Sequence, residues 1–164
     1  CHVLLAMIAR TSDLRLVIAG RKATPYGAFL GEEVARLGLA GRVFMPGEVS
    51  DGDRQWLYEH CDAFLFPSLS EGFGFPVLEA MQCGRPVFAA RRTSLPEVAG
   101  DRAGWWDTFE PDAMLRVVRE GLESSRSMPG FAAAQVAHAA TYTWERAAAR
   151  YLDVYDEVLE RKAA

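Results

Sequence analysis

Short apolar runs and helical patterns take turns along this chain, and that alternation limits the possible folds more than any other feature. Leu14 to Gly20, Arg42 to Met45, Ala63 to Pro67, Val87 to Ala90 and Gly104 to Trp106 read as strands. Helical segments lie between them. Thr24-Pro25 supplies a cap and a first helical residue, Phe29, Leu30, Val34 and Leu37 line the inner face, and Gly38 ends the helix. Ser50-Asp51-Gly52-Asp53 resembles a capping box for a helix through Trp56, Leu57 and His60. Pro76 to Cys83 reads as the next helix, and Leu95 to Val98 as a single turn. After Pro111 the pattern is helical throughout: Met114, Leu115, Val118 and Leu122 share a face, and Phe131 to Ala140 is Ala-rich. Thr143 caps a last helix whose Trp144, Ala148, Tyr151, Tyr155 and Leu159 recur at helical spacing. This order predicts an α/β fold, a Rossmann-like parallel sheet with helices on both faces. No repeat, low-complexity tract or linker divides it, so residues 1–164 read as one domain.

The bulk properties narrow the function. With 164 residues, half of them hydrophobic and a quarter charged, the chain can bury a real core. Its net charge of −4 gives no basic field for nucleic acid. Cys1, Cys61 and Cys83 show neither a disulfide framework nor metal-ligand spacing. Cys61 and Cys83 lie in apolar surroundings as small core residues, and a reducing cytoplasm fits them best. His2, His60 and His138 form no metal set and no triad, so no metal is expected. No apolar run approaches membrane-spanning length, and no signal peptide is apparent. The first residues, Cys1 to Arg10, already read as a helix with Val3, Leu4, Met7 and Ile8 on one face. A helix with no strand before it, in an alternating chain without an initiator Met, leads to the expectation that the true start is missing.

The richest stretch runs from Ser70 to Glu79, SEGFGFPVLE. It follows the Ala63–Pro67 strand and opens the next helix, the place where open α/β sheets bind ligands. Pro76 suits a first helical position, and Phe75 before it has no side-chain oxygen to act as a cap. The amides of Val77, Leu78 and Glu79 are therefore expected to be free at the positive end of a helix, a ready anion site. Gly72 and Gly74 allow a close approach to the backbone. Glu71 and Glu79 flank the site and can accept hydrogen bonds from hydroxyls. An anion site beside two hydroxyl-accepting carboxylates points to a sugar phosphate or a nucleotide sugar.

The segment Pro67 to Val87, PSLSEGFGFPVLEAMQCGRPV, resembles the carboxy-terminal domain of retaining GT-B glycosyltransferases, the group that includes sucrose synthases and bacterial mannosyl- and glucosyltransferases. Its Glu-x7-Glu motif matches at Glu71 and Glu79. Leu16 to Gly20, Val43 to Val49, Ser94 to Gly100 and Thr143-Trp144-Glu145 match other family blocks in order. The resemblance implies a half of a GT-B fold that lacks its first strand, a central one carrying the family's Gly-Arg…Lys segment. Two unpaired internal edges would result. It also implies that the full enzyme transfers a hexose from a nucleoside diphosphate sugar to an acceptor hydroxyl with retention. The acceptor, a glycan, a lipid-linked sugar or a small molecule, would lie mainly on a missing amino-terminal domain. No resident cofactor is implied. The full protein is expected in the cytoplasm, or at the inner face of the membrane.

By the same resemblance, Glu79 binds the donor ribose, and Glu71 lies near the transferred sugar as the catalytic carboxylate. Gly72, Phe73 and Gly74 offer amides to sugar hydroxyls, while Val77 and Leu78 offer amides to the diphosphate. Met45 to Val49, with Gly47 and Glu48, meets the nucleobase. Each has an ordinary counterpart: a carboxylate in a first helical turn, a solvated loop acid, a packed aromatic, a plain strand-to-helix loop. Arg21 and Lys22 follow the first strand and could approach phosphates, although a basic loop pair is usually solvated. Phe75 stands where Leu is common in the family. Trp144 and the last helix are candidates for docking on the missing domain. Two other functions fit the residues: a non-catalytic nucleotide-sugar-binding module, or a GT-B phosphorylase or epimerase.

Overall fold

The structure, a computed structural model, describes residues 1–163. In chain order the elements are α1 (His2–Ile8), β1 (Leu16–Ala19), α2 (Pro25–Arg36), β2 (Val43–Gly47), α3 (Asp51–His60), β3 (Phe64–Phe66), α4 (Phe75–Gln82), β4 (Val87–Ala90), α5 (Leu95–Ala99), β5 (Ala103–Trp106), α6 (Pro111–Ser127), α7 (Phe131–Ala139) and α8 (Trp144–Ala163). Local chemistry sets several helix starts. The Thr24 hydroxyl accepts from the Gly27 amide at 2.9 Å, and the Ser50 hydroxyl accepts from the Asp53 amide at 3.1 Å. Thr143 accepts from the Arg146 amide at 3.2 Å, which starts α8. Gly38, at φ +67°, lets the chain leave α2 in a left-handed turn.

All strand pairs are parallel, and they fall into two ladders, β1–β2 and β3–β4–β5. Among the described residues no ladder joins the two. β4 is the fully covered strand, buried at every position. Its residues alternate between two cores, as the period of two requires. Phe88 joins α1, α6 and Trp106 in one core. Val87 and Ala89 join α4, α5 and α7 in the other. Helices therefore cover both faces of this ladder, as the alternating pattern predicts.

The β1–β2 ladder differs. Leu16 and Val43 are buried against α1 and α2. Their neighbours Val17 and Phe44 pair across the ladder and point the other way, 46% and 64% exposed. One face of this ladder is thus uncovered, against the expectation of cover on both. Phe29 is a further correction, since it is exposed and stacks on Tyr26 instead of lining the core.

The Phe88 ring lies between Gly104 of β5 and Gly121 of α6, where a Cβ at either position would overlap the ring. These two glycines let α6 and β5 close on the aromatic ring. Gly104→Ala and Gly121→Ala should each cost about 1–3 kcal/mol of stability, measured by chemical denaturation, as overpacked cores do. A change below about 0.5 kcal/mol, the range of neutral surface substitutions, would contradict this packing.

Candidate functional site

Parallel pairing decides which loops meet. Phe66 pairs with Ala89, and Ala90 with Trp106, so β3 and β4 end on the same edge of the ladder. The loop after β3 (residues 67–74) and the loop after β4 (residues 91–94) therefore adjoin. Their contacts are direct. The Glu71 amide donates to the Thr93 hydroxyl at 3.1 Å. The Ser94 hydroxyl reaches the carbonyls of Phe73 at 2.8 Å and Glu71 at 3.1 Å. Thr93 and Ser94 thus hold the Glu71–Phe73 backbone from the side. Thr93 does so at φ +49°, the only non-glycine with positive φ among the described residues. A β-branched residue there is strained by about 1–3 kcal/mol, and such strain collects at functional sites. Sequence reasoning missed this clamp, because a left-handed Thr leaves no local signal.

The start of α4 is where the sequence placed it, with two corrections. Gly74, at φ +111°, is the N-cap, so the helix begins at Phe75 and Pro76 is its second residue. The Val77 amide is not free, since it donates to the Gly74 carbonyl at 3.0 Å. No side chain caps the helix. Pro76 has no N–H, so the Phe75 amide is the first-turn donor left for an anion, and Glu79, the fifth residue of the helix, has the Phe75 carbonyl as its helical acceptor, against the expectation of a free Glu79 amide. Gly74 is needed for two reasons: its φ is left-handed, and a Cβ would come within 2.7 Å of Leu95 Cδ2. Gly72 faces open space.

The carboxylates are held differently. Glu71 Oε1 accepts from the Ser68 hydroxyl at 2.7 Å. Glu79, on the first turns of α4, receives the Tyr58 hydroxyl on Oε2 at 2.9 Å, and the Arg54 Nε lies 3.8 Å from the same oxygen. Burial and the bond to Glu79 push the Tyr58 phenol up, so it stays protonated as the donor. The Phe73 side chain packs on Phe75, with centroids 4.9 Å apart, and on Tyr142, which assigns its ring to packing. Its backbone remains on the loop between the two glycines.

Gly47 and Glu48 lie at the end of the other ladder. Gly47, at φ +95°, accepts from the Gly20 amide at 2.8 Å, and Glu48 meets Arg21 at 3.5 Å with both side chains exposed. Among the described residues no hydrogen bond or ion pair joins Gly47, Glu48, Arg21 or Lys22 to the Glu71–Glu79 segment. The structure therefore brings Glu71, Gly72, Phe73, Gly74, Val77, Leu78 and Glu79 together, and leaves the Gly47 loop on a separate ladder. Each His has a local partner: Tyr26 for His2, the Trp56 carbonyl for His60 and the Val98 carbonyl for His138. Burial pushes the Cys61 and Cys83 thiols up, which makes them poor nucleophiles. Among the described residues no group of three or more His, Cys, Asp or Glu could hold a metal ion. No helix among them is long and apolar enough to cross a membrane.

A helix start without a side-chain cap, beside two carboxylates at the carboxyl edge of a parallel ladder, can be set against known proteins. Residues 2–134 match the family model described as glycosyl transferases group 1. The chain belongs to that family. The O-antigen chain mannosyltransferase B of Escherichia coli is 37% identical over 109 residues, covering 66% of this chain and 29% of its own length. The D-inositol 3-phosphate glycosyltransferase of Salinispora tropica is 32% identical over 160 residues, covering 92% of this chain and 32% of its own length. The chain thus spans about a third of the length of these relatives. Among solved structures, sucrose-phosphate synthase from Thermosynechococcus elongatus superposes with a TM-score of 0.82 at 19% identity, over 98% of this chain and 42% of its own. HepE of Anabaena, solved with UDP and glucose, superposes with a TM-score of 0.75 at 25% identity, over 85% of this chain and 40% of its own. The fold is that of a GT-B glycosyltransferase domain.

The two site glycines should separate in their effect on stability. Gly74→Ala should destabilise the domain by about 1–3 kcal/mol, from a left-handed φ and a collision with Leu95. Gly72→Ala should stay within about 0.5 kcal/mol, as an unobstructed surface change does. Equal losses in chemical denaturation would contradict the geometry of this turn.

Proposed function

We propose that this domain binds a nucleoside diphosphate sugar and serves as the donor half of a retaining glycosyltransferase that moves a hexose to an acceptor hydroxyl. The observation that carries this reading is the uncapped α4 start behind Gly72 and Gly74, with Glu71 before it and Glu79 on it. The diphosphate would lie at that helix end. Charge that develops there as the sugar leaves is met by the helix dipole and the Phe75 amide, so the stabilisation is built in advance. Glu71, with Ser68 on one oxygen, would accept from hydroxyls of the transferred sugar and oppose positive charge at its anomeric carbon. Glu79 would accept from the ribose, a charge-assisted bond stronger than a neutral one. The Gly47–Glu48 loop would meet the base. No resident cofactor enters this scheme.

Three findings support it. The chain belongs to a glycosyltransferase family. HepE, a structural neighbour, has been solved with UDP-glucose and with UDP and glucose. A mannosyltransferase of O-antigen chains is among the relatives, which favours a glycan acceptor. The acceptor side would come from a further domain of the intact protein, since this chain spans about a third of these relatives. Helix α8 suits contact with such a domain: Trp144 is 77% exposed, and Tyr151, Leu152, Tyr155 and Leu159 are exposed along the helix. A cytoplasmic site of action fits a donor of this class and the free thiols.

In the intact protein, Glu79→Ala should weaken binding of the nucleotide-sugar donor about tenfold or more, the loss of one or two charge-assisted hydrogen bonds. Glu71→Ala should leave donor affinity nearly unchanged and lower kcat about a hundredfold or more, as loss of a transition-state contact does. Titration calorimetry and steady-state kinetics check both. Unchanged donor binding in Glu79→Ala together with unchanged turnover in Glu71→Ala would refute the site.

A further inference from the structure

Tyr58 is the one residue of α3 buried in the core, 8% exposed. Its ring packs edge-on against Phe64 of β3, with centroids 5.3 Å apart. That packing fixes the ring, and the hydroxyl emerges against Glu79 Oε2 at 2.9 Å. Arg54, one turn earlier on α3, approaches the same oxygen at 3.8 Å and is itself drawn to Asp51 at 3.2 Å. Both recorded partners of the Glu79 carboxylate therefore sit on one oxygen. Oε1 has no hydrogen-bond partner among the described residues, and the side chain is 36% exposed. A glutamate has three rotatable bonds, and a free one on a helix surface samples many orientations. This one is anchored from the core side.

We propose that Tyr58 is a positioning residue, which turns the Glu79 carboxylate so that Oε1 is presented to the vicinal hydroxyls of the donor ribose. This rests on the reading of Glu79 as the ribose acceptor. Anchoring before binding removes the ordering cost from the binding step. The desolvated phenol supports the role, because it remains a donor and does not become an anion facing Glu79. The specificity follows from chemistry: a preset carboxylate favours a diol over a ring that lacks one.

The test uses the intact protein and pairs UDP, GDP and ADP with their 2′,3′-dideoxy analogues in titration calorimetry. The unsubstituted protein should prefer the ribose form of its nucleotide by about tenfold or more. Tyr58→Phe keeps the ring and removes the hydroxyl. It should cut that preference by about fivefold while leaving the dideoxy affinity within about twofold. Should Tyr58→Phe fail to fold by thermal melting, Tyr58→Met, a smaller but adaptable side chain without a donor, should give the same loss of preference. An unchanged preference, or equal weakening of both analogues, overturns the role of Tyr58. Glu79→Ala separates the two ideas. If it abolishes the preference while the Tyr58 variants keep it, only this inference falls. If Glu79→Ala retains the preference, or the unsubstituted protein shows none, the ribose reading and this inference fall together.

Discussion

The positive end of α4 is left uncapped by this chain, and the rest of the site is arranged around that fact. A helix start without a side-chain acceptor is an electrostatic debt of partial positive charge and unpaired N–H groups. At four other helices the chain supplies the acceptor: Thr24 for α2, Ser50 for α3, Glu110 for α6 and Thr143 for α8. At α4 it places a left-handed glycine instead, and behind it Gly72 with open space around it. The starts of α1, α5 and α7 also lack a side-chain acceptor, and α7 shares a left-handed glycine at Gly130, so what sets α4 apart is the pair Glu71 and Glu79 on either side of its open end.

Precision at that turn comes from the ladder beneath it. β4 is buried on both faces, so its position is fixed by two cores at once. The residues that follow it, Thr93 and Ser94, reach across to the loop after β3 and bond its backbone at Glu71 and Phe73. The strained φ of Thr93 is held by this surrounding structure, and its hydroxyl is thereby aimed at the Glu71 amide. The Tyr58 hydroxyl on α3 donates to the Glu79 carboxylate. Glu71 is thus held at its amide by Thr93 and at its carboxylate by Ser68, and Glu79 at its carboxylate by Tyr58, which is how a loop-borne site acquires defined geometry.

Legibility from sequence followed the range of the interactions involved. The strands, the parallel α/β class and the caps at Thr24 and Ser50 were legible because each depends on residues a few positions apart. The start of α4 was one residue out, since Pro76 takes the second helical position once Gly74 turns left-handed. That choice is settled by Leu95, far along the chain, which leaves no room for a side chain at position 74. In α3 the sequence marks a helix through Trp56, Leu57 and His60 but not its inward residue, which is Tyr58, while Trp56 stacks on His60 in the open. The helix is mostly polar, and its one inward residue is selected by Phe64 of β3, which periodicity cannot report. The exposure of Val17 and Phe44 was not legible either, as a strand pattern does not say whether anything covers its second face. The family blocks marked the candidate site, because the Glu-x7-Glu spacing spans a single turn and helix start.

The central claim is that the α4 turn holds the diphosphate of a nucleotide sugar. A crystal structure of the intact protein with its bound nucleoside diphosphate sugar tests this most directly. The account predicts phosphate oxygens within hydrogen-bonding distance of the backbone amides at the start of α4, with the ribose against Glu79 and the hexose against Glu71. A donor bound away from that turn, with the helix end facing only water, would contradict it.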